Sequence, residues 1–230
     1  MTNARQEKLE DFVADLMLML AHGMINRLSP ASTYHRMLAD ADLLSPRAMQ
    51  GMQELADASI QNSIAFYERL FRVGETASGP PETLDLGAWL DEMARSAGIQ
   101  VHYAGQCAST VTLDSRLWST VIHELFKNVE MHGGGKAAVT CTLLDEGCLR
   151  IQVQDQGPGL KTYSPEAFSD SSREVIRATR RRQDSPGHGL GLLHARWAAF
   201  LLHGDISLDE VHPQGLSITA LAPLVRPPSN

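Results

Sequence analysis

Two styles of sequence meet near residue 80, and that junction constrains the fold more than any other feature. From about Asn3 to Val73 glycine and proline are almost absent, β-branched residues are few, and Leu, Met, Ala, Gln and Glu dominate. All five are good helix formers. Leu9, Phe12, Val13, Leu16 and Leu20 recur at spacings of three and four, the apolar stripe of a helix. The stretch ADADLLSPRA interrupts it and offers Ser45 as an N-cap with Pro46 at the first helical position. A second helix is predicted from about Arg47 to Arg72. Its expected buried set is Met49, Met52, Leu55, Ala56, Ile60, Ile64, Leu70 and Phe71. Two long helices with a short connection make an antiparallel hairpin. A hairpin cannot bury both faces alone, so pairing of two copies into a four-helix bundle is its natural completion.

GETASGPPET reads as a linker, rich in the residues that break regular structure. Beyond it the pattern is mixed. LGAWLDEMARSA is helical, IQVHYA and STVTLD alternate as strands, and RLWSTVIHELFKNVEMH is helical again. KAAVTCTLL with CLRIQVQD makes a hairpin of buried strands, a helix opens at about Gly189, and DISLDE and LSITALAP close the chain. The fold class is α+β, with a helical hairpin over 1–78 and a second domain over 79–230. At 230 residues there is ample chain for both.

Composition limits the partners. Asp and Glu outnumber Lys and Arg by 27 to 20, a net charge of −7, so no basic footprint for nucleic acid exists at whole-chain level. The longest apolar stretch, FVADLMLMLA, is too short to span a bilayer, and the charged opening differs from a signal peptide. Three cysteines do not make a secreted disulfide framework and read as small buried hydrophobes. A cytoplasmic location is expected.

Three islands carry chemistry. In HELFKNVEMH, residues 123–132, Glu124 and Asn128 lie four apart on one helix face, able to orient water and to offer a hard oxygen ligand to Mg²⁺. In DQGPGL, residues 155–160, Asp155 ends an apolar strand where a carboxylate can accept from a ligand's amino group. Gly157 and Gly159 let the backbone turn sharply beside a flat ring. In GHGLGL, residues 187–192, Gly187, Gly189 and Gly191 leave amides bare at a helix start, a place that favours phosphate.

In this order the islands resemble the N box and the two glycine boxes of the ATP-binding domain of sensor histidine kinases. The wider group includes DNA gyrase, the Hsp90 chaperones and MutL. The resemblance covers residues from about 10 to 222 and implies an α/β-sandwich ATP-binding domain of the Bergerat type. It implies that Asn128 holds Mg²⁺ and that Asp155 receives the adenine amino group. Gly157, Gly159, Gly187, Gly189, Leu190 and Gly191 would line the cofactor, and a lid would span 161–186. AHGMINRLSP looks like the family's H box, with His22 as phosphoacceptor, Asn26 beside it and Glu124 completing the catalytic set. On a helical wheel His22 stands roughly 200° from Leu20, away from the apolar stripe. His35, nearer the stripe, is assigned to packing.

The resemblance further implies a homodimer through the hairpin, a response-regulator receiver domain as phosphoryl acceptor, and a sensor supplied by a separate protein or by a longer chain. Two positions depart from the family pattern. Gly23 stands where an acidic residue usually follows the acceptor, and Met131 replaces a basic residue of the N box. They favour the alternative of a histidine phosphotransferase or pseudokinase; a non-catalytic nucleotide-sensing module is a third reading. An anti-sigma-type serine kinase would share the pocket but would not need the hairpin.

Overall fold

Ser45 starts a helix as its chemistry requires. Its hydroxyl accepts from Ala48 N at 3.3 Å and its carbonyl from Met49 N at 3.0 Å, and Pro46 occupies the first helical position. A computed structural model describes residues 10, 13, 17, 28–38, 45–103, 110–144, 147–159, 190–210 and 215–224. The chain divides into two compact units, Met1–Gly74 and Glu75–Asn230.

In the first unit residues 28–37 are helical (α1) and Pro46–Glu75 forms the long helix α2. The buried stripe of α2 differs from the expected one. Ala56, Ser59, Ser63, Phe66 and Val73 are buried, whereas Leu55, Ile60, Ile64 and Phe71 are exposed. At about 100° per residue Ile60, Ile64 and Phe71 fall within one narrow sector, beside the buried stripe rather than within it. A heptad-like count of apolar residues could not separate the two sectors, because Ser59 and Ser63 hold core positions that polar residues seldom take. Ser63 does so by donating its hydroxyl to Ser59 O at 2.8 Å. His35, expected to pack, is exposed in this chain.

In the second unit a five-stranded mixed sheet runs in the order β2-β4-β5-β7-β6, from Gln100–Tyr103 (β2), Lys136–Leu143 (β4), Cys148–Asp155 (β5), Asp205–Glu210 (β6) and Leu216–Pro223 (β7). β2 pairs with β4 in parallel; the other pairings are antiparallel. Leu149, Ile151 and Val153 of β5 lie opposite Ala222, Ala220 and Ile218 of β7, and all six are buried. They share one core with Leu86–Ser96 (α3), Ser115–His132 (α4) and Leu190–Leu201 (α5). The alternate residues of β5, Arg150, Gln152 and Gln154, leave the core, and Gln152 donates to Ser217 Oγ at 2.8 Å. The architecture is therefore helices on one face of a sheet, the α+β arrangement expected.

The strand and helix bounds follow the sequence patterns closely. One element was unexpected. Glu82–Asp85 (β1), whose first two residues close the expected linker and whose last two were assigned to no element, pairs antiparallel with Thr110–Leu113 (β3), and Thr83 and Thr112 share a hydroxyl hydrogen bond of 2.8 Å. ETLD has no apolar alternation, so only its partner strand makes it a strand. The cysteines also differ from expectation: Cys141 and Cys148 are half-buried, Cys141 is disulfide-bonded and Cys148 is free. Among the described residues no helix is long and apolar enough to cross a membrane.

Candidate functional site

The site is assembled where α4, the end of β5 and the start of α5 converge. Asp114 N-caps α4 by accepting from Leu117 N at 3.1 Å, and the helix carries seven fully buried apolar side chains from Leu117 to Val129. This fixes the orientation of its remaining face. Glu124 and Asn128, one turn apart on that face, are both half-buried.

Asp155 ends β5 and is buried, with 4% of its surface exposed. Its Oδ1 accepts from Gly157 N at 2.9 Å and from Leu216 N at 3.0 Å. Both of its hydrogen bonds with described residues fall on that one oxygen, so Oδ2 is available to a donor. The glycines explain how the backbone comes so close. A Cβ on Gly157 would collide with His132 O, and one on Gly133 would stand 2.5 Å from Asp155 Cβ. The end of α4 thus meets the β5 turn backbone to backbone. Gly159 has φ of +69°, the left-handed region that favours glycine.

Glu124 faces α5 with both oxygens. Oε1 receives a hydrogen bond from His194 Nδ1 at 3.0 Å, and a Cβ on Gly191 would stand 2.8 Å from Oε2. Burial pushes the Glu124 pKa up, but the hydrogen bond from His194 and the positive potential of His194, His123 and Lys127 outweigh it and hold it below its ordinary value. A carboxylate kept ionised beside a helix start is suited to orienting a nucleophile or a hydrated cation.

Of the expected site residues, Asp155 and Gly157 meet at the end of β5 with Gly159 in the same turn, and Glu124 meets Gly191 at the start of α5, with Asn128 one turn from Glu124 on α4. Leu190 opens α5. His22, Asn26, Gly187, Gly189 and the expected lid 161–186 lie outside the described residues. Sequence reading missed His194, Thr76 and the backbone of His132 and Gly133. His194 touches Glu124 across 70 residues of chain, and no spacing rule connects them. Among the described residues no group of three His, Cys, Asp or Glu side chains could hold a metal ion unaided.

The site thus combines a helix bearing a carboxylate and an amide with a sheet strand that ends in a buried aspartate and a glycine turn. Residues 113–226 match the family described as histidine kinase-, DNA gyrase B- and HSP90-like ATPase, and this segment belongs to that family. The chain is 30% identical over 139 residues to the signal transduction histidine-protein kinase AfsQ2 of Streptomyces coelicolor, a match covering 60% of this chain and 23% of that protein. Matches to curated relatives span 16% to 23% of those proteins' length. The fold is similar to that of full-length ShkA in complex with AMPPNP, with a TM-score of 0.53 at 17% identity over 92% of this chain and 46% of that one. It is also similar to the histidine kinase AdeS of Acinetobacter baumannii, with a TM-score of 0.53 at 14% identity over 88% of this chain and 98% of that one.

Proposed function

We propose that the chain is the core of a two-component histidine kinase, which phosphorylates His22 with ATP and passes the phosphoryl group to an aspartate of a response-regulator receiver domain. The observation that carries this reading is Asp155, buried and held by two backbone amides through one oxygen while the other stays open to a donor. The adenine amino group supplies that donor. Gly157 and Gly159 give the ring a wall without side chains, and Gly187, Gly189, Leu190 and Gly191 form the phosphate side. Asn128, with the hard amide oxygen such an ion prefers, would hold Mg²⁺. Bound there, Mg²⁺ would neutralise charge on the phosphate oxygens.

In the transfer itself an imidazole nitrogen of His22 bonds to the γ-phosphorus, the bond to the bridging oxygen of ADP breaks and ADP leaves, and the proton of the imidazole passes to solvent water. Asn26 orients the acceptor ring and Glu124, kept ionised by His194, orients the reacting groups. Such chemistry is mainly positioning and electrostatics. Gly23 leaves the acceptor without an adjacent acid–base group, help commonly worth about 10²–10⁴ in rate. We therefore expect slow autophosphorylation, raised by Gly23→Glu. A homodimer through the hairpin, in the cytoplasm, completes the proposal, with the exposed Ile60, Ile64 and Phe71 sector as support.

Incubating the protein with ATP labelled in its γ-phosphate and mapping the product tests the reading. The expected result is an acid-labile phosphate that disappears in His22→Ala and drops sharply in Asn128→Asp. No nucleotide binding by calorimetry would instead support the pseudokinase or phosphotransferase reading that Gly23 and Met131 favour, and binding with no label transferred would support a nucleotide-sensing module.

A further inference from the structure

Glu124 is not simply a free carboxylate at the nucleotide site; it is the end of a chain of hydrogen bonds. His194 Nδ1 lies 3.0 Å from Glu124 Oε1, and the opposite ring nitrogen, Nε2, lies 2.7 Å from Thr76 Oγ1. The His194 and Glu124 side chains are only 16% and 17% exposed. Thr76 follows Glu75, the last residue of α2, and belongs to the connecting segment. The same segment is fastened again two residues later. Asp114 Oδ2 accepts from Ser78 Oγ at 2.6 Å and from Gly79 N at 2.9 Å, while its Oδ1 caps α4.

We propose that Thr76 and His194 form a positioning relay that holds the Glu124 carboxylate for phosphoryl transfer, so that seating of the segment 76–79 sets the transfer rate. The proposal rests on the kinase reading above. The chemistry is self-consistent. An ionised carboxylate only accepts, so Nδ1 carries a proton; Nε2 of the neutral ring is then an acceptor, and the Thr76 hydroxyl donates to it. If the ring becomes an imidazolium, Nε2 donates and the same hydroxyl accepts. A hydroxyl is the one small group that satisfies both states. Among the described residues, the charged or titratable groups acting on Glu124 are His194 from α5 and His123 and Lys127 from α4 itself.

The test uses the full chain. Thr76→Val keeps the shape and deletes the hydroxyl, and we expect kcat for phosphohistidine formation to fall about twofold to tenfold while the ATP KM stays within about twofold. Thr76→Ser should restore the rate. His194→Ala should slow transfer further and move the acid limb of the rate profile to higher pH, since Glu124 loses the group that keeps it ionised. In a Glu124→Gln background Thr76→Val should have no added effect. An equal loss in that background, or no rescue by serine, overturns the relay.

A second readout needs no catalysis. Nitrogen NMR of the neutral His194 ring should show Nδ1 protonated and Nε2 bare, with Thr76→Val weakening that preference. The reverse tautomer overturns the relay. Absence of ATP binding and of phosphohistidine would instead defeat the kinase reading, leaving the tautomer to decide the relay.

Discussion

Asp155 shows how a buried charge is kept useful. Burying a carboxylate is costly unless it is hydrogen-bonded, and two amides on Oδ1 meet that need without consuming Oδ2. Asp155→Asn preserves an oxygen for the amides and turns the other position into a donor. Adenine nucleotide affinity, measured by calorimetry, should fall roughly ten- to hundredfold with little change in melting temperature. Gly157→Ala should act the other way round. A methyl group against His132 O forces the α4 terminus and the β5 turn apart, at about 1–3 kcal/mol of stability in denaturant titrations. Glu124 adds a pH signature. Its pKa is lowered in the folded chain, so its stabilisation is present above the ordinary value of 4.5 and is lost as pH falls through the folded value. The stability gap between the protein and Glu124→Gln should therefore close on acidification. Glu124, Asn128 and Asp155 could be singled out as candidates in the sequence because their motifs occur in order. His194 was not, since its partnership exists only once α5 has packed on α4.

At the scale of elements, the cap at Ser45 was readable, and Ser45 opens α2 where side-chain chemistry places it, whereas Asp114, read as the end of a strand, turns out to cap α4. Asp114 does more than cap, because its second oxygen fastens Ser78 and Gly79. Asp114→Ala should thus cost about 1–3 kcal/mol, the sum of a lost cap and stranded donors, visible as a lower denaturant midpoint. The bounds of β5, β6 and β7 were legible from alternation and flanking turns. β1 was not, because four residues with one apolar side chain carry no period and depend on β3 for their shape. The stripe of α2 was misread for a related reason: two serines take buried places while Leu55, Ile60, Ile64 and Phe71 stay outside.

For the whole molecule, the exposed sector of α2 bears on assembly. If it lies between two copies, Ile60→Glu combined with Ile64→Glu should convert a dimer to monomers in sedimentation velocity and leave the thermal unfolding of the ATPase unit unchanged. That unit has its own asymmetry, with helices on one face of the sheet and polar side chains on the other. Tolerance to random replacement along β5 should consequently toggle with every step. Arg150 and Gln154 can drift toward many hydrophilic types and Gln152 toward those that still serve the buried Ser217, whereas Leu149, Ile151 and Val153 are bound to their volumes by close packing. A library scored for retained folding would register this strand as a two-beat rhythm, and the wet side is where new surface properties can be installed at least cost to the fold.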